Sequence, residues 1–225
     1  QANKAGIDEA VSEIQKLGRR AYGHAADVSD LAQVEEMGAA SVRELGPLAT
    51  MVANAGIAQV KPILDVTTDD LRRMFDINVF GTFNCYSAAA KQMIKQGSPG
   101  KLIGAASIAA MKSFPMLSRY SASKFAVRGF TQAFAMEMAP HKITVNAYAP
   151  GIVGTAMWDL IDEELAKVHG AKKGDMIKKH SDDLISLGRT SVPEGVAKMV
   201  SFLSGPDSDY VTGQTLVVDG GIIFT

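Results

Sequence analysis

The chain has 225 residues, with 23 basic and 24 acidic side chains and a formal net charge of −1. This length suits one large α/β domain, and a hydrophobic content of 47% is enough for a buried core, which excludes a disordered chain. A charge near zero gives no general reason to bind nucleic acid or an anionic membrane. The single cysteine, Cys85, excludes an intrachain disulfide and a cysteine-based metal cluster. With no secretory signal and no membrane-spanning apolar run, the sequence predicts a cytoplasmic protein.

Short apolar strands alternate with helices along the chain. The predicted helices cover 3–17, about 31–45, a segment starting at Thr67 or Thr68, about 78–96, 118–139, a Lys-rich stretch at 155–187, and 193–203. The predicted strands cover about 20–25, 50–53, 101–106, 143–148 and 215–218. Long helices between strands are typical of βαβ crossovers and a parallel sheet. We therefore expect one domain over residues 1–225, with 155–190 as a lobe at the substrate site.

Ligands of an open parallel sheet bind beyond the carboxyl ends of its strands. The residues that follow the predicted strands are small, polar or glycine: Asp27-Val28, Asn54-Ala55-Gly56, Ser107 and Pro150-Gly151. This composition favours a cofactor crevice. For Asn54-Ala55-Gly56 an ordinary turn is the alternative interpretation, because Asn and Gly tolerate left-handed backbone angles.

Tyr120 and Lys124 are four residues apart on a predicted helix and therefore share one face. A cationic amine beside a phenol favours the phenolate, so we expect the pKa of Tyr120 to fall from about 10 toward neutrality. Such a phenol can act as a general acid or base. Ser107 directly follows a strand, and the loop after it should return to the same edge, where its hydroxyl could help to polarise a carbonyl oxygen. Helix capping is the alternative role of Ser107.

These residues, taken in order and spacing, resemble the short-chain dehydrogenase/reductase family over essentially the whole chain. The motifs are Asn54-Ala55-Gly56, Asn78, Ser107, the run from Tyr120 to Lys124, and Pro150-Gly151. The resemblance implies a Rossmann-like, doubly wound parallel α/β sheet that binds NAD or NADP. The family has a Gly-rich pyrophosphate loop and two further strands that would precede Gln1. We therefore expect about 30–40 more residues upstream in the natural protein, with the two strands lying between 20–25 and 50–53.

The resemblance also implies a role for each matching residue. Tyr120 would exchange a proton with the substrate oxygen, Lys124 would lower the pKa of Tyr120 and bond the nicotinamide ribose, and Ser107 would position the oxygen. Asn78 would hold a water linked to Lys124; its alternative is a core hydrogen-bonding role. The implied cofactor residues are Asp27 and Val28 at the adenine, Asn54, Ala55 and Gly56 near the adenosine ribose, and Pro150, Gly151, Val153 and Thr155 at the nicotinamide carboxamide and phosphate.

Three stretches resemble the acetoin/diacetyl reductases (2,3-butanediol dehydrogenases) within that family: RYSASKFAVRGFTQ, APGIVGTAMW and VTGQTLVVDGGIIF. We expect Met157 and Trp158 to roof a small apolar pocket, with Ile108, Met111 and Phe114 opposite. Such a wall suits a small neutral ketone or diketone, with no metal ion. For Trp158, an anchor between helix and core is the alternative.

Several alternatives stay open at this point. The protein could be a 3-oxoacyl-carrier-protein reductase, a polyol or sugar dehydrogenase, or a truncated non-catalytic homologue that acts as a binding module. The Lys run at 172–179 and the histidines His141, His169 and His180 are interpreted as surface residues. The family resemblance implies a homodimer or homotetramer, formed through the Tyr120 helix and the last strand.

Overall fold

A computed structural model describes residues 4–224. Its centre is a parallel four-stranded sheet in the order β1-β2-β3-β4. The strands are β1 (Thr50–Ala53), β2 (Gly100–Ala105), β3 (Ile143–Pro150) and β4 (Thr215–Val218). The register places Val52 beside Ile103, and Tyr148 beside both Ala105 and Leu216. The predicted parallel α/β architecture is therefore confirmed.

Eight α-helices surround this sheet in the described part of the chain. They are α1 (Lys4–Lys16), α2 (Leu31–Leu45), α3 (Thr68–Phe75), α4 (Gly81–Gln96), α5 (Ser118–Met138), α6 (Ala156–His169), α7 (Asp175–Leu184) and α8 (Pro193–Ser204). Successive side chains of a strand point to opposite faces of the sheet, so each strand contributes residues to a hydrophobic core on either face. On one face Leu102 and Val145 pack with Met93 of α4, and on the other Ile103 packs with Leu203 of α8.

Local signals in the sequence account for several helix boundaries. The Asp30 carboxylate accepts from the backbone of Ala32 and Gln33 and so begins α2. Thr67 and Asp70 form a reciprocal capping box at the start of α3. The predicted helix at 78–96 is instead a π-helical turn, Asp76–Phe80, followed by α4.

The predicted Lys-rich helix at 155–187 is two helices. Gly170 and Gly174 between α6 and α7 both have left-handed backbone angles, which glycine adopts without a steric penalty. The Asp162 carboxylate, only 2% exposed, accepts from the backbone nitrogens of Gly174 and Ile177 and joins the two helices.

The predicted strand at 20–25 is wrong: this segment has no regular secondary structure and carries no strand hydrogen bonds. A strand exists only where a neighbour pairs with it, and within the described residues β1 pairs with β2 alone. The segment instead packs on neighbouring helices. Arg20 donates to the carbonyl of Leu45 at 2.7 Å, and Gly23 lies against Ile7.

No helix within residues 4–224 is both long and apolar enough to cross a membrane. The first residue of the predicted helix at 3–17 lies outside the described residues.

Candidate active site

A cleft of about 1420 Å³ opens at the carboxyl ends of the strands. Its floor comes from the residues that directly follow β1 and β2 and from the end of β3, as expected for a parallel sheet. Of the residues predicted to bind a cofactor, those lining the cleft are Asn54, Ala55, Gly56, Tyr120, Lys124, Pro150, Gly151, Val153 and Thr155. Ser107, Met157 and Trp158 also line it.

The structure brings Ser107, Tyr120 and Lys124 together in this cleft. Lys124 Nζ lies 5.5 Å from the centroid of the Tyr120 ring and donates to the carbonyl of Ala105 at 2.7 Å. The interaction of the Tyr120 hydroxyl with the Ser107 side chain lowers the pKa of the phenol. Two hydroxyls and an amine therefore converge where β2 ends and α5 begins, and this group can hold and protonate one oxygen atom.

Ser107 also has the capping role that was its alternative interpretation. Its Oγ accepts from the backbone nitrogen of Ala109 at 3.1 Å and begins a short 3₁₀ turn. A serine hydroxyl has two acceptor lone pairs and one donor hydrogen, so the cap leaves the hydrogen of Ser107 free to donate in the cleft. The cap keeps the Ser107 side chain oriented toward the cleft.

Burial changes the protonation of both Tyr120 and Lys124. It raises the pKa of the Tyr120 phenol, a shift that the hydrogen bond from Ser107 opposes, and it lowers the pKa of Lys124 to about 8. The expected lowering of the Tyr120 pKa by Lys124 is therefore not found. Folding removes much of the water around both side chains, and this loss of hydration favours the neutral form of each. At neutral pH Tyr120 keeps its proton and is ready to donate it.

Asn78 performs the core hydrogen-bonding role. Its Oδ1 accepts from the Ile57 nitrogen at 2.8 Å, and its Nδ2 donates to the Ile57 carbonyl and to Ser123 Oγ, each at 3.0 Å. These bonds hold the loop after β1 beside Lys124. Asn78 Oδ1 has a second lone pair that can accept from a water, so the water-holding role stays a prediction. A Cβ placed on Gly56 in that loop would lie 3.3 Å from Asn78 Oδ1 and 3.5 Å from Lys124 Nζ.

Asp27 and Val28, the predicted adenine contacts, do not line the cleft. The Asp27 carboxylate accepts from the backbone nitrogen and hydroxyl of Ser29, which lowers its pKa and closes a turn before α2. Val28 packs against Gly81, and its carbonyl accepts from Asn84 at 2.9 Å. Local turn chemistry and packing on α4 therefore direct this segment away from the cleft.

Sequence reasoning missed several contributors to the cleft, among them Tyr148 and His180. The Tyr148 hydroxyl donates to Asn54 Oδ1 at 2.5 Å, a contact across the sheet that no local pattern shows. His180 lines the cleft on α7 and is only partly exposed, although it was interpreted as a surface residue. A signal was present, because His180 follows the buried Met176 by four residues and therefore shares its helix face.

The other expectations for the lobe have mixed outcomes. Ile108 and Phe114 line the cleft with Met157 and Trp158, whereas Met111 does not. Lys178 and Lys179 are exposed and ion-paired with Asp182 and Asp183, as a solvated helix surface would be. Within residues 4–224, no three His, Cys, Asp or Glu side chains are grouped to hold a metal ion.

The parallel sheet and the hydroxyl–amine group at its edge define a Rossmann-like oxidoreductase fold. Residues 1–223 match the protein family described as enoyl-(acyl carrier protein) reductase. L-2,3-butanediol dehydrogenase of Corynebacterium glutamicum is 49% identical, covering 96% of this chain and 83% of its own. A diacetyl reductase of Staphylococcus epidermidis, forming (S)-acetoin, is 46% identical over 99% of this chain and 86% of its own.

Solved structures agree with these relatives. Acetoin dehydrogenase from Salmonella typhimurium superposes with a TM-score of 0.83 at 31% identity, covering 98% of this chain and 82% of its own. NAD⁺-bound xylitol dehydrogenase superposes with a TM-score of 0.92 at 30% identity, covering 98% and 86%. The chain belongs to the short-chain dehydrogenase/reductase family. It is an oxidoreductase of the alcohol dehydrogenase and carbonyl reductase type.

Proposed function

We propose that this protein interconverts a small ketone or diketone and its secondary alcohol with NAD or NADP, acetoin and diacetyl being the substrates. The observation that carries this proposal is that Ser107, Tyr120 and Lys124 line one cleft, with Lys124 Nζ 5.5 Å from the centroid of the Tyr120 ring and apolar side chains beside them. The relatives named as butanediol dehydrogenase and diacetyl reductase support the same substrate class.

The cleft fits a dinucleotide. Its volume of about 1420 Å³ exceeds the ~300–1,000 Å³ of ordinary small-molecule sites. The loops that would hold the dinucleotide, 54–56 and 150–155, contain the small residues Ala55, Gly56 and Gly151, which allow close approach of its sugar and phosphate groups. Lys124 would supply a donor to its ribose. A nicotinamide dinucleotide, when bound, supplies or accepts the hydride.

The proton is handled by the chain's own side chains. Because burial raises the pKa of Tyr120, the phenol is protonated at neutral pH and donates to the substrate oxygen as negative charge develops there. Ser107 donates a second hydrogen bond to that oxygen and so stabilises the same charge. In the oxidative direction Tyr120 must first lose its proton, and the phenolate then takes the alcohol proton.

The walls of the cleft favour a small neutral substrate. Ile108, Phe114, Met157 and Trp158 are all apolar or mainly apolar side chains around the reacting group. A carboxylate placed among these four side chains would lose its hydration, and none of the four offers it a cation, which is costly. A neutral ketone with short alkyl groups is less strongly hydrated, so its transfer into this apolar site costs little free energy.

Polyol oxidation is the second candidate. It is supported by the structural similarity to xylitol dehydrogenase. That protein is 30% identical to this chain, whereas the butanediol dehydrogenase is 49% identical, so the sequence favours the butanediol dehydrogenase class.

The test of the proposal is a spectrophotometric screen of the purified protein with NADH and NADPH separately, against diacetyl, acetoin, a ketose and an acetoacetyl thioester. We expect oxidation of one nucleotide with diacetyl or acetoin. Turnover of only the ketose or the thioester, or of nothing, would overturn the proposal.

We also propose that the protein forms a homodimer or homotetramer in the cytoplasm. Support comes from an aromatic strip on α4 and α5, where Phe83 lies 5.5 Å from Phe130 and Phe125 is 42% exposed. Exposed apolar patches of this kind favour association with a second copy.

A further inference from the structure

His180 lies in the wall of the cleft that also contains Ser107 and Tyr120. It sits on α7, one turn after Met176, and its ring Nδ1 is 2.7 Å from the Met176 carbonyl oxygen. A carbonyl oxygen only accepts, so Nδ1 carries the hydrogen in this bond. In the neutral ring Nε2 then has a lone pair and no hydrogen, which makes it an acceptor.

The remaining cleft surface contributed by α6 and α7 is mostly apolar. It consists of Met157, Trp158, Ile161, Leu165, Met176 and Leu184. Lys179 also reaches the cleft, but it is mainly exposed and its ammonium is 2.7 Å from the Asp183 carboxylate. His169 is exposed at the rim. Among the described cleft-lining residues of α6 and α7, His180 is therefore the partly buried side chain with a nitrogen that can accept a hydrogen bond.

We propose that His180 is a substrate-specificity residue, whose Nε2 accepts a hydrogen bond from a hydroxyl on the carbon next to the reacting carbonyl. This inference rests on the proposed function, and it selects among the substrates of that function. An α-hydroxy ketone or vicinal diol offers the hydrogen that Nε2 needs. A diketone instead places a second carbonyl oxygen opposite Nε2. Both atoms are hydrogen-bond acceptors, so they repel each other. The protein should therefore prefer acetoin and its diol over diacetyl.

The experiment compares three substrates in the wild type and in His180→Phe. Acetoin has the second oxygen as a hydroxyl, diacetyl has it as a carbonyl, and butanone lacks it. We expect kcat/KM to fall roughly three- to tenfold for acetoin, the value of one hydrogen bond, and to stay unchanged for butanone. For diacetyl it should stay unchanged or rise, because the repulsion is removed.

Binding gives a second readout that does not depend on turnover. Trp158 is the single tryptophan of the chain and lines the cleft, so its fluorescence reports ligand binding. His180→Phe should weaken the binding of acetoin and leave that of butanone unchanged. His180→Gln, which retains an amide oxygen as acceptor, should restore part of the acetoin affinity and also serves if the phenylalanine variant fails to fold. His141→Phe is the matched control, because His141 is exposed and does not line the cleft, and it should keep the wild-type ratio of acetoin to diacetyl.

The outcomes separate the two proposals. Equal changes for all three substrates, or an unchanged ratio of acetoin to diacetyl, would overturn the role of His180 while leaving the reductase function intact. A wild-type protein that turns over none of the three, yet uses a ketose, would overturn the proposed function and with it the role of His180.

Discussion

Tyr120 and Lys124 owe their protonation to the same physical cause. Lys124 is buried and Tyr120 is partly buried at the junction of β2 and α5, and loss of hydration disfavours whichever form is charged. The phenol therefore becomes a weaker acid, and the ammonium loses its proton more easily. The hydrogen bond from Lys124 to the Ala105 carbonyl keeps the amine beside the tyrosine ring in either form.

Replacing Lys124 by methionine should change how stability depends on pH. The pKa of Lys124 is about 8 in the folded protein, against 10.5 for an ordinary lysine, so between these values the unfolded chain binds more protons. The free energy of unfolding therefore gains a component that rises with pH, by at most about 1.4 kcal/mol per pH unit. Urea denaturation at about pH 8 and about pH 10 measures the rise, which Lys124→Met should reduce.

The control for this experiment is Lys178→Met, which removes an exposed lysine paired with Asp182. This variant should keep the rise seen in the wild type. If the free energy of unfolding rises equally with pH in the wild type and in Lys124→Met, Lys124 keeps its charge in the folded protein between about pH 8 and about pH 10.

Tyr120→Phe removes the hydroxyl that is proposed to donate the proton and leaves the ring in its apolar cluster with Met157 and Trp158. We expect kcat to fall by roughly 10²–10⁴-fold, the usual contribution of general acid catalysis, with thermal stability little changed. Tyr210→Phe changes a fully exposed hydroxyl and should keep full activity in the same assay. A Tyr120→Phe variant with near wild-type kcat would remove Tyr120 from the chemistry.

At the scale of elements, the loop between β3 and α6 depends on one close approach. Gly151 donates its backbone N–H to the Val218 carbonyl at 3.1 Å and lies against Asp219 after β4. A Cβ on Gly151 would be 2.7 Å from the Asp219 Cβ and 2.9 Å from its Cα. Backbone atoms cannot move aside cheaply, so glycine is needed here for packing.

Gly151→Ala should therefore destabilise the protein by about 1–3 kcal/mol, the range for overpacking a tight site. It should also weaken nucleotide binding, because the displaced loop forms part of the cleft wall. Gly154→Ala, three residues later, is the matched control: its nearest neighbour is the Ser191 carbonyl at 3.8 Å, so an added Cβ fits. Urea denaturation and nucleotide titration of both variants check the prediction. Equal stability of the two variants would contradict it.

Helix boundaries were predictable because caps act between neighbours in sequence. The starts of α2 and α3 follow from Asp30 and Thr67, whose side chains bond to backbone groups two or three residues away. The strand expected at 20–25 was wrong because strand formation depends on a distant partner. The π-helical turn at Asp76–Phe80 was also missed, since its Asn78 is held by Ile57, 21 residues earlier.

At the scale of the whole molecule, α4 and α5 expose an aromatic strip that the monomer does not cover. Phe83 contacts both Phe130 and Phe134, with ring centroids 5.5 and 5.7 Å apart, yet it remains 38% exposed. Phe125 and Met136 extend the exposed apolar surface of α5. A second copy of the chain is the proposed occupant of this face.

Phe125→Asp should shift the protein toward a smaller assembly, because a carboxylate would lose its hydration in an apolar interface. Sedimentation velocity measures the change, and the folded monomer should remain stable because Phe125 is largely exposed. Leu64→Asp is the control, since Leu64 is 95% exposed in a separate turn. An assembly that stays the same size in Phe125→Asp would exclude this face as the interface.

The order of motifs along the chain was enough to identify the parallel α/β class, the chemical group Ser107–Tyr120–Lys124 and the glycines of the cleft loops. These features depend on residue type, strand ends and helical spacing, which are local and can be read from the primary structure. Folding alone revealed that Tyr120 is a weaker acid than expected, that Asn78 is already bonded, that Asp27 turns away and that His180 faces the cleft. Each of these depends on burial or on partners far apart in the chain, and only the packed molecule brings those groups together.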